Sequence, residues 1–486
     1  MNKKIIILSL FLVAIILSGC VTKKYKSPEV NFRVDSLYRV LESKVDTTMN
    51  TGEVGWENFF SDTVLQYHIQ VVLSQNHDML VAKKRMEQAY AQLRAARGAF
   101  WPSVSAQIGG TLAAQDNHTL SLSPGITASA SWEIDLWGKL ASAKRASQAS
   151  LSYSEDMQQA LQTQLVAQTA TYYYQLVAYD AERDIINETI INRAQYLDTI
   201  RIMKLSGKVN EVAVQQAVAQ LGEVRAALPD IELAIIETEN ALSLLMGHPS
   251  DNVNRIKHID FRNVKGLSNI GVPAQLLSNR PDVRAAEQNY RNAHELYNVS
   301  RAAMYPTLGI SANGGIADVF NSHFGTLNLL ASLTQPIFNG RKLRAQKEVN
   351  KLSAEQAAIN FEKKLLEAGM EVSNALARQE KSTQKALAQI GQLDGYLKAY
   401  NYSFELFMNG YATYLDVLTA QTGVFNIQIA LVDSYLANLS ARIELYRALG
   451  GGSAPYKVET KEQARTTDKE NYGRHKKSKK WERGVL

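Results

Sequence analysis

The chain repeats itself. The stretch "NHDMLVAKKRMEQAYAQLRAARGAFWPSVSA" from Asn76 aligns with "RPDVRAAEQNYRNAHELYNVSRAAMYPTLGI" from Arg280, setting Asp78 on Asp282, Arg97 on Arg301 and Pro102 on Pro306 at an offset of 204. Further on, Gly138 matches Gly340 at 202, and Gly207 and Gly247 match Gly410 and Gly450 at 203. An offset held over so many landmarks reads as two tandem copies of a unit of about 200 residues. Whatever this chain of 486 residues folds into is built twice from one plan.

Each copy opens with a helical pattern that stops at Pro, in "AFWP" and "AMYP", because Pro and the residue before it leave the helical region. Two alternating segments follow. In "LSPGITASASWEIDL" the even positions Leu122 to Leu136 are apolar and the odd ones are Ser, Gly, Thr, Glu and Asp, the period of a strand with two unlike faces. The spacing predicts strands at about 102–114 and 121–136 in the first copy and at about 306–317 and 325–335 in the second, each pair joined by a polar loop. Beyond the second strand each copy turns at Gly into a helical pattern of great length. Gly138 to Gly207 and Gly340 to Gly410 each span about 70 residues, or about 100 Å of helix. A return helix of about 40 residues ends at Gly247 or Gly450, and Pro229 is expected to kink the first of them.

The N-terminus is "MNKK" followed by an apolar run from Ile5 to Leu17, too short to span a bilayer and suited to a secretory signal. It ends in "LSGC", which resembles the bacterial lipoprotein box, with cleavage before Cys20 and lipid attached there. Cys20 is the only cysteine, so no internal disulfide can form. Acyl chains in pairs make a stable anchor. Val21 stands where inner-membrane lipoproteins carry Asp, which favours the outer membrane.

A two-faced strand in an outer-membrane lipoprotein fits a transmembrane barrel, lipid outside and water inside, with Glu133 and Asp135 on the water side. Four strands cannot close a barrel, and open edges are not tolerated in hydrocarbon. The chain is therefore expected to pool its strands with other copies, eight from two or twelve from three. The other reading is a small soluble sheet packed on the helices.

The charge is placed at the ends. Ten Lys/Arg against five Asp/Glu follow Tyr456, so the tail carries +5 of the chain's +6. A near-neutral body has no electrostatic footprint for nucleic acid. No GxSxG, P-loop, HExxH or CxxC occurs, and no pair of His stands at ligand spacing on a helix. Passage is expected rather than catalysis, with no catalytic residues, no bound metal and no cofactor beyond the covalent lipid on Cys20.

Taken together, the lipoprotein box, "WENFFSDTVLQYHIQVVLSQNHDM" at 56–79, "WEIDLWGK" at 132–139, "NRPDVRAAE" at 279–287, "QPIFNGRK" at 335–342 and "NGYATYLDVLTAQ" at 409–421 resemble the outer membrane factor family, the TolC-like exit ducts of efflux pumps and type I secretion. The resemblance implies a mixed α and β membrane protein. In it a homotrimer forms a twelve-stranded barrel, four strands per chain, continued by a long α-helical periplasmic tunnel and ringed by an equatorial belt. It divides the chain into a lipoprotein signal peptide (1–19), an N-terminal anchor and equatorial segment (20–60), repeat 1 (61–247), a connector (248–275), repeat 2 (276–452) and a disordered basic tail (453–486). The partners it implies are a periplasmic adaptor (membrane fusion) protein, an inner-membrane pump and outer membrane lipid. The function it implies is the exit duct of a tripartite efflux system passing small molecules. A type I protein secretion duct remains the alternative, as does, from another class, a lipid-anchored periplasmic coiled-coil scaffold without a pore.

By the same resemblance the tunnel narrows at the periplasmic tip. Asp416 is expected to face the lumen, with Tyr411 and Tyr414 as a hydrogen-bonded or stacked gate layer. Packing tyrosines and a solvated helix carboxylate are the other reading of the same residues. At the place in copy one matching Asp416 stands Ala213, with only Glu211 near, so fewer fixed charges are expected there. The helix turns at Leu205, Gly207 and Lys208 and at Asn409 and Gly410 are expected to meet the adaptor.

Overall fold

The computed structural model describes residues 21–28, 54–115, 119–257, 280–317 and 326–452. Cys20, the signal segment, the connector beyond Lys257 and the basic tail lie outside the described residues. In chain order the elements are α1 (Trp56–Phe59), α2 (Thr63–Gln75), α3 (His77–Gly98), β1 (Ser103–Gln115), β2 (Thr119–Ile134), α4 (Lys139–Leu205), α5 (Glu211–Met246), α6 (Pro281–Ala302), β3 (Thr307–Ala317), β4 (Thr326–Thr334), α7 (Lys342–Met408) and α8 (Tyr414–Ala448). The molecule is mostly helical with a few strands, and the second set of elements follows the first in order. α4 and α7 are both 67 residues long, about 100 Å each; α3 and α6 are both 22.

Local chemistry sets the helix ends. Asp62 caps α2 by accepting from the Val64 and Leu65 amides, and Asn76 caps α3 through Asp78 and Met79. Pro281 opens α6, where its missing N–H costs nothing. Gly138, at φ +75°, caps α4, and its counterpart before α7 is Arg341 at φ +66°, not Gly340. The glycine landmarks thus sit one residue apart in structure, and the second copy turns through two left-handed residues. α5 runs unbroken through Pro229. α8 is long and apolar enough to cross a membrane by length and composition; it packs against α7 and α4.

The sheet has four antiparallel strands in the order β1-β2-β3-β4, with β1 and β4 at the edges. Register puts unlike chemistry on its two faces. One rung reads Val104–Ala130–Ala312–Leu329; the next, on the opposite face, reads Ser105–Ser129–Asn313–Asn328. Ser103 and Ser131, and Ser105 and Ser129, share hydroxyl hydrogen bonds of 2.8 Å across β1 and β2. Leu330, on the Ser103–Ser131–Ser311 rung, is the exception to the polar face. Among the described residues no helix covers the apolar face, and Val104, Ile108, Leu327 and Leu329 are each at least 76% exposed.

Buried side chains form separate clusters along the helices. Trp56, Phe60, Leu65, Ile69, Tyr173 and Tyr446 make one near the middle. There the start of the connector is riveted down: Arg255 pairs with Asp180 and Glu239, His68 bonds the Asn254 carbonyl at 2.8 Å, and Tyr173 donates to Asp62 at 2.6 Å. In the second copy, buried Arg280 bonds Asp282 (2.7 Å), Glu371 (2.8 Å) and the Ala448 carbonyl (3.0 Å).

Candidate functional site: the paired hairpin tips

Both long hairpins reverse through the same two hydrogen bonds. The Gly207 amide donates to Lys204 O and the Lys208 amide to Met203 O, both at 2.9 Å; the Gly410 amide donates to Phe407 O at 3.0 Å and the Tyr411 amide to Leu406 O at 2.8 Å. This pairing satisfies the last carbonyls of a helix and needs a left-handed residue, supplied by Gly207 at φ +71° and Gly410 at φ +78°. A Cβ at either would meet no atom within 4 Å, so the backbone alone demands glycine. The far ends of α5 and α8 close on the same bonds at Gly247 and Gly450.

The two tips share a core. Tyr196, Ile200 and Met203 of α4 pack with Val214 and Leu221 of α5, Phe407 of α7 and Tyr414 and Val417 of α8. Tyr414 stacks on Tyr196 with ring centroids 5.9 Å apart and planes at 20°, and Phe407 closes on it at 6.2 Å. Burial raises the Tyr414 and Tyr196 hydroxyls above the usual phenol range. Tyr414 is therefore inside the chain's own packing, whereas Tyr411 is 82% exposed. Leu205 is 87% exposed, and Lys208, Asn409 and Gly410 are exposed beside it.

Asp416 is exposed and lies in a capping box at the start of α8. Its carboxylate accepts from the Thr413 hydroxyl (2.6 Å) and amide (2.9 Å), and its own amide donates to the Thr413 hydroxyl. Those bonds, the hydroxyl's first, hold its carboxyl below the usual range. In the first hairpin Asn210 caps α5 through the Ala213 amide, Ala213 is buried, and Glu211 pairs with Lys204 across the turn. Among the described residues, no group of three or more His, Cys, Asp or Glu could hold a metal ion.

One layer escaped sequence reasoning. Arg193 is 3% exposed. Its guanidinium donates to Gln220 O (2.7 Å) and Oε1 (2.6 Å) and lies 5.5 Å from the Phe425 ring centroid. Burial pulls its pKa below the usual guanidinium range. Thr422 donates to the same Gln220 Oε1 at 3.4 Å, so α4, α5 and α8 meet around one amide. An Arg on the inner face of a long helix was the only signal.

At the other end, aromatic side chains mark where strand becomes helix. Trp137 donates to Pro306 O (2.7 Å) and lies 5.2 Å from Tyr305, Trp132 donates to Phe100 O (2.9 Å), and Trp101 is exposed. Asp135, expected on the water side of the strand, lies just past the end of β2. It caps α4 through the Leu140 and Ala141 amides, while Glu133 pairs with Lys139 at 2.9 Å.

The model of the family of outer membrane efflux proteins matches residues 68–248 and again 272–451. The chain belongs to the outer membrane efflux protein family. The cation efflux system protein CusC of Escherichia coli K12 is 28% identical over 458 residues, 91% of this chain and 98% of CusC. The probable outer membrane lipoprotein SilC of Salmonella typhimurium is 28% identical over 454 residues, 90% of this chain and 96% of SilC. A crystal structure of CusC matches with a TM-score of 0.80 at 25% identity, covering 89% of this chain and 99% of that one. The Campylobacter jejuni CmeC outer membrane channel shares the fold, with a TM-score of 0.80 at 21% identity over 93% of this chain and 98% of that one. The chain is an efflux protein of the outer membrane.

Proposed function

We propose that three copies of this chain form one duct, passing small molecules passively from a periplasmic adaptor and an inner-membrane pump to the cell exterior. The observation that carries this reading is the sheet: four strands, two bare edges and an apolar face left in the open. Hydrocarbon tolerates neither edge, and twelve strands pooled from three chains remove both and leave a lumen wide enough for water. The aromatic side chains at the strand–helix junction fit a girdle at the membrane surface. The two tandem copies then supply equal hairpins to a tunnel, with Cys20 lipidated beside the barrel and the connector in an equatorial belt.

The tip is the gate in this reading. Exposed Asp416 and Tyr411 stand at the aperture, Tyr414 locks the hairpins together behind them, and the turns at Leu205, Gly207, Lys208, Asn409 and Gly410 receive the adaptor. Planar-bilayer recording on the purified full-length protein, with its mass measured in detergent, tests the proposal. A trimeric mass and discrete conductance steps are expected. A monomer, or a trimer that never conducts even with the tip loosened by Tyr414→Ala, would leave the pore-less scaffold.

A further inference from the structure

Residues 21–28 lie as a strap along α6. Fully buried Asn298 clamps both sides of one peptide: the Lys23 amide donates to Asn298 Oδ1 at 3.0 Å, and Asn298 Nδ2 donates to Lys23 O at 2.9 Å. Tyr25 and Ser27 donate to Glu287 at 3.0 and 3.1 Å, and Arg291 stacks on the Tyr25 ring at 5.2 Å. So fixed, the strap closes one side of a groove of about 610 Å³ against α6 and α7, within the usual range of ligand pockets, about 300–1,000 Å³. Lys23, Lys24, Lys26 and Lys351 line it, with Tyr290 and His294.

Its charge is not balanced from within. The one carboxylate of the groove, Glu355, pairs with Lys351 at 3.2 Å, and the three strap lysines have no ion pair among the described residues. Within the groove, His294 Nδ1 is buried without a hydrogen-bond partner among the described residues. Buried polar atoms are rarely left so, and each unsatisfied one needs an account. Burial first, and then Arg145, Arg301 and Lys23 acting against Glu295, hold the His294 imidazole below its usual range.

Position narrows the ligand. α6 ends at Ala302 and β3 starts at Thr307, and the groove residue Tyr297 lies about 8 Å along α6 from that end; Lys351, nine residues into α7, is about 14 Å along that helix. Thr22, next along the strap, sits where a Cβ on Gly138, the cap that joins sheet to α4, would come within 3.2 Å of its side chain. The matching places in the first copy hold Tyr90 and Gln148 in place of His294 and Lys351, so the groove belongs to the second copy alone.

The geometry points to a binding site for the anionic headgroup of a phospholipid in the periplasm-facing leaflet, its phosphate held by the strap lysines and Lys351. Basic residues at a membrane surface attract anionic lipid in this way. The inference rests on the proposal that the four strands cross the outer membrane.

Full-length protein in phosphatidylcholine nanodiscs doped with phosphatidylglycerol tests it, with lipid retained after detergent extraction counted by native mass spectrometry. Phosphatidylglycerol is expected to be retained at least tenfold over phosphatidylcholine. Lys23→Gln and Lys351→Gln should each weaken retention about fivefold and together about 25-fold, with channel conductance unchanged. Inorganic phosphate at millimolar concentration should leave the lipid in place; displacement by it would mean a site for free phosphate and overturn the lipid assignment. Equal retention of the two lipids by the unmodified protein, or full retention by the double variant, overturns the proposal while a conducting channel leaves the barrel standing. Protein that neither inserts nor conducts overturns both.

Discussion

Replacing Tyr414 separates two ways in which a tyrosine can hold a tip shut. Its ring is 7% exposed and sandwiched between Tyr196 and Phe407, while its hydroxyl makes no hydrogen bond among the described residues. Truncating a buried aromatic to alanine costs about 3–5 kcal/mol, and stacking adds about 0.5–1.5 kcal/mol to what its area provides. With the tip as the proposed gate, opening that lifts one hairpin off the other has to part these rings, so the closed tip would lose most of that energy in Tyr414→Ala. At about 1.4 kcal/mol per tenfold, a loss of about 3 kcal/mol shifts the open-to-closed ratio about 150-fold. Tyr414→Phe keeps the ring and should shift it less than threefold. Single-channel recording at zero adaptor reads both ratios directly. A Phe variant as open as the Ala variant would place the lock in the hydroxyl, and an Ala variant as closed as the parent would show that these rings do not move on opening.

Gly207→Val and Gly410→Val put a β-branched residue at φ above +70°, at a cost of about 1–2 kcal/mol or more each; co-purification should show adaptor binding lost with the trimer retained. Asp416→Ala should relieve block by multivalent cations added from the periplasmic side, measured in the same bilayers, since in the proposed trimer three carboxylates near the axis would draw such ions. Because Asp416 titrates below the ordinary 3.8, the stability it contributes is present above that value and fades as pH falls through the depressed one, and Asp416→Asn should flatten that acid limb in thermal melts. Glu182, buried near Asp433, is pushed up to about 7, by burial first and then by that neighbouring charge. The folded chain thus binds this proton more tightly than the unfolded one, and stability falls as pH rises from about 4.5 to 7. Glu182→Gln should raise the melting temperature at pH 8 and leave it unchanged at pH 4.

Much of the architecture was legible because it is written in periods. Alternation over Leu122–Leu136 falls largely within β2, and the turn glycines stand where left-handed helix ends require them. Strand ends were less readable: Asp135 shares the alternation of β2 but is drawn off to cap a helix, a choice made by amides six residues on. At the tip, a local pattern could name Asp416 and Tyr414 but not their surroundings. Whether Tyr414 faces a lumen or Tyr196 depends on a helix more than 200 residues away in sequence. The Arg193 layer is invisible for the same reason, since the partners of this α4 residue come from two other helices, α5 and α8. Helical periodicity also outlasted Pro229, because a helix held on both sides by neighbours survives the loss of one hydrogen bond.

α4 and α7 are equal to the residue, and that equality acts as a ruler. One residue inserted in either would lengthen it by about 1.5 Å and swing everything below by about 100°, turning inward-facing side chains out. Short of a longer step of about eleven, about seven residues are needed to nearly restore the facing, and seven add about 10.5 Å. In the proposed trimeric duct, such a step taken in one hairpin would leave a ragged rim, alternate fingers overhanging their neighbours. Taken in both, it would keep the rim level and move the whole mouth deeper into the periplasm. Lineages that adjust their reach to a wider or narrower envelope are therefore constrained to edit the gene twice, in matched multiples.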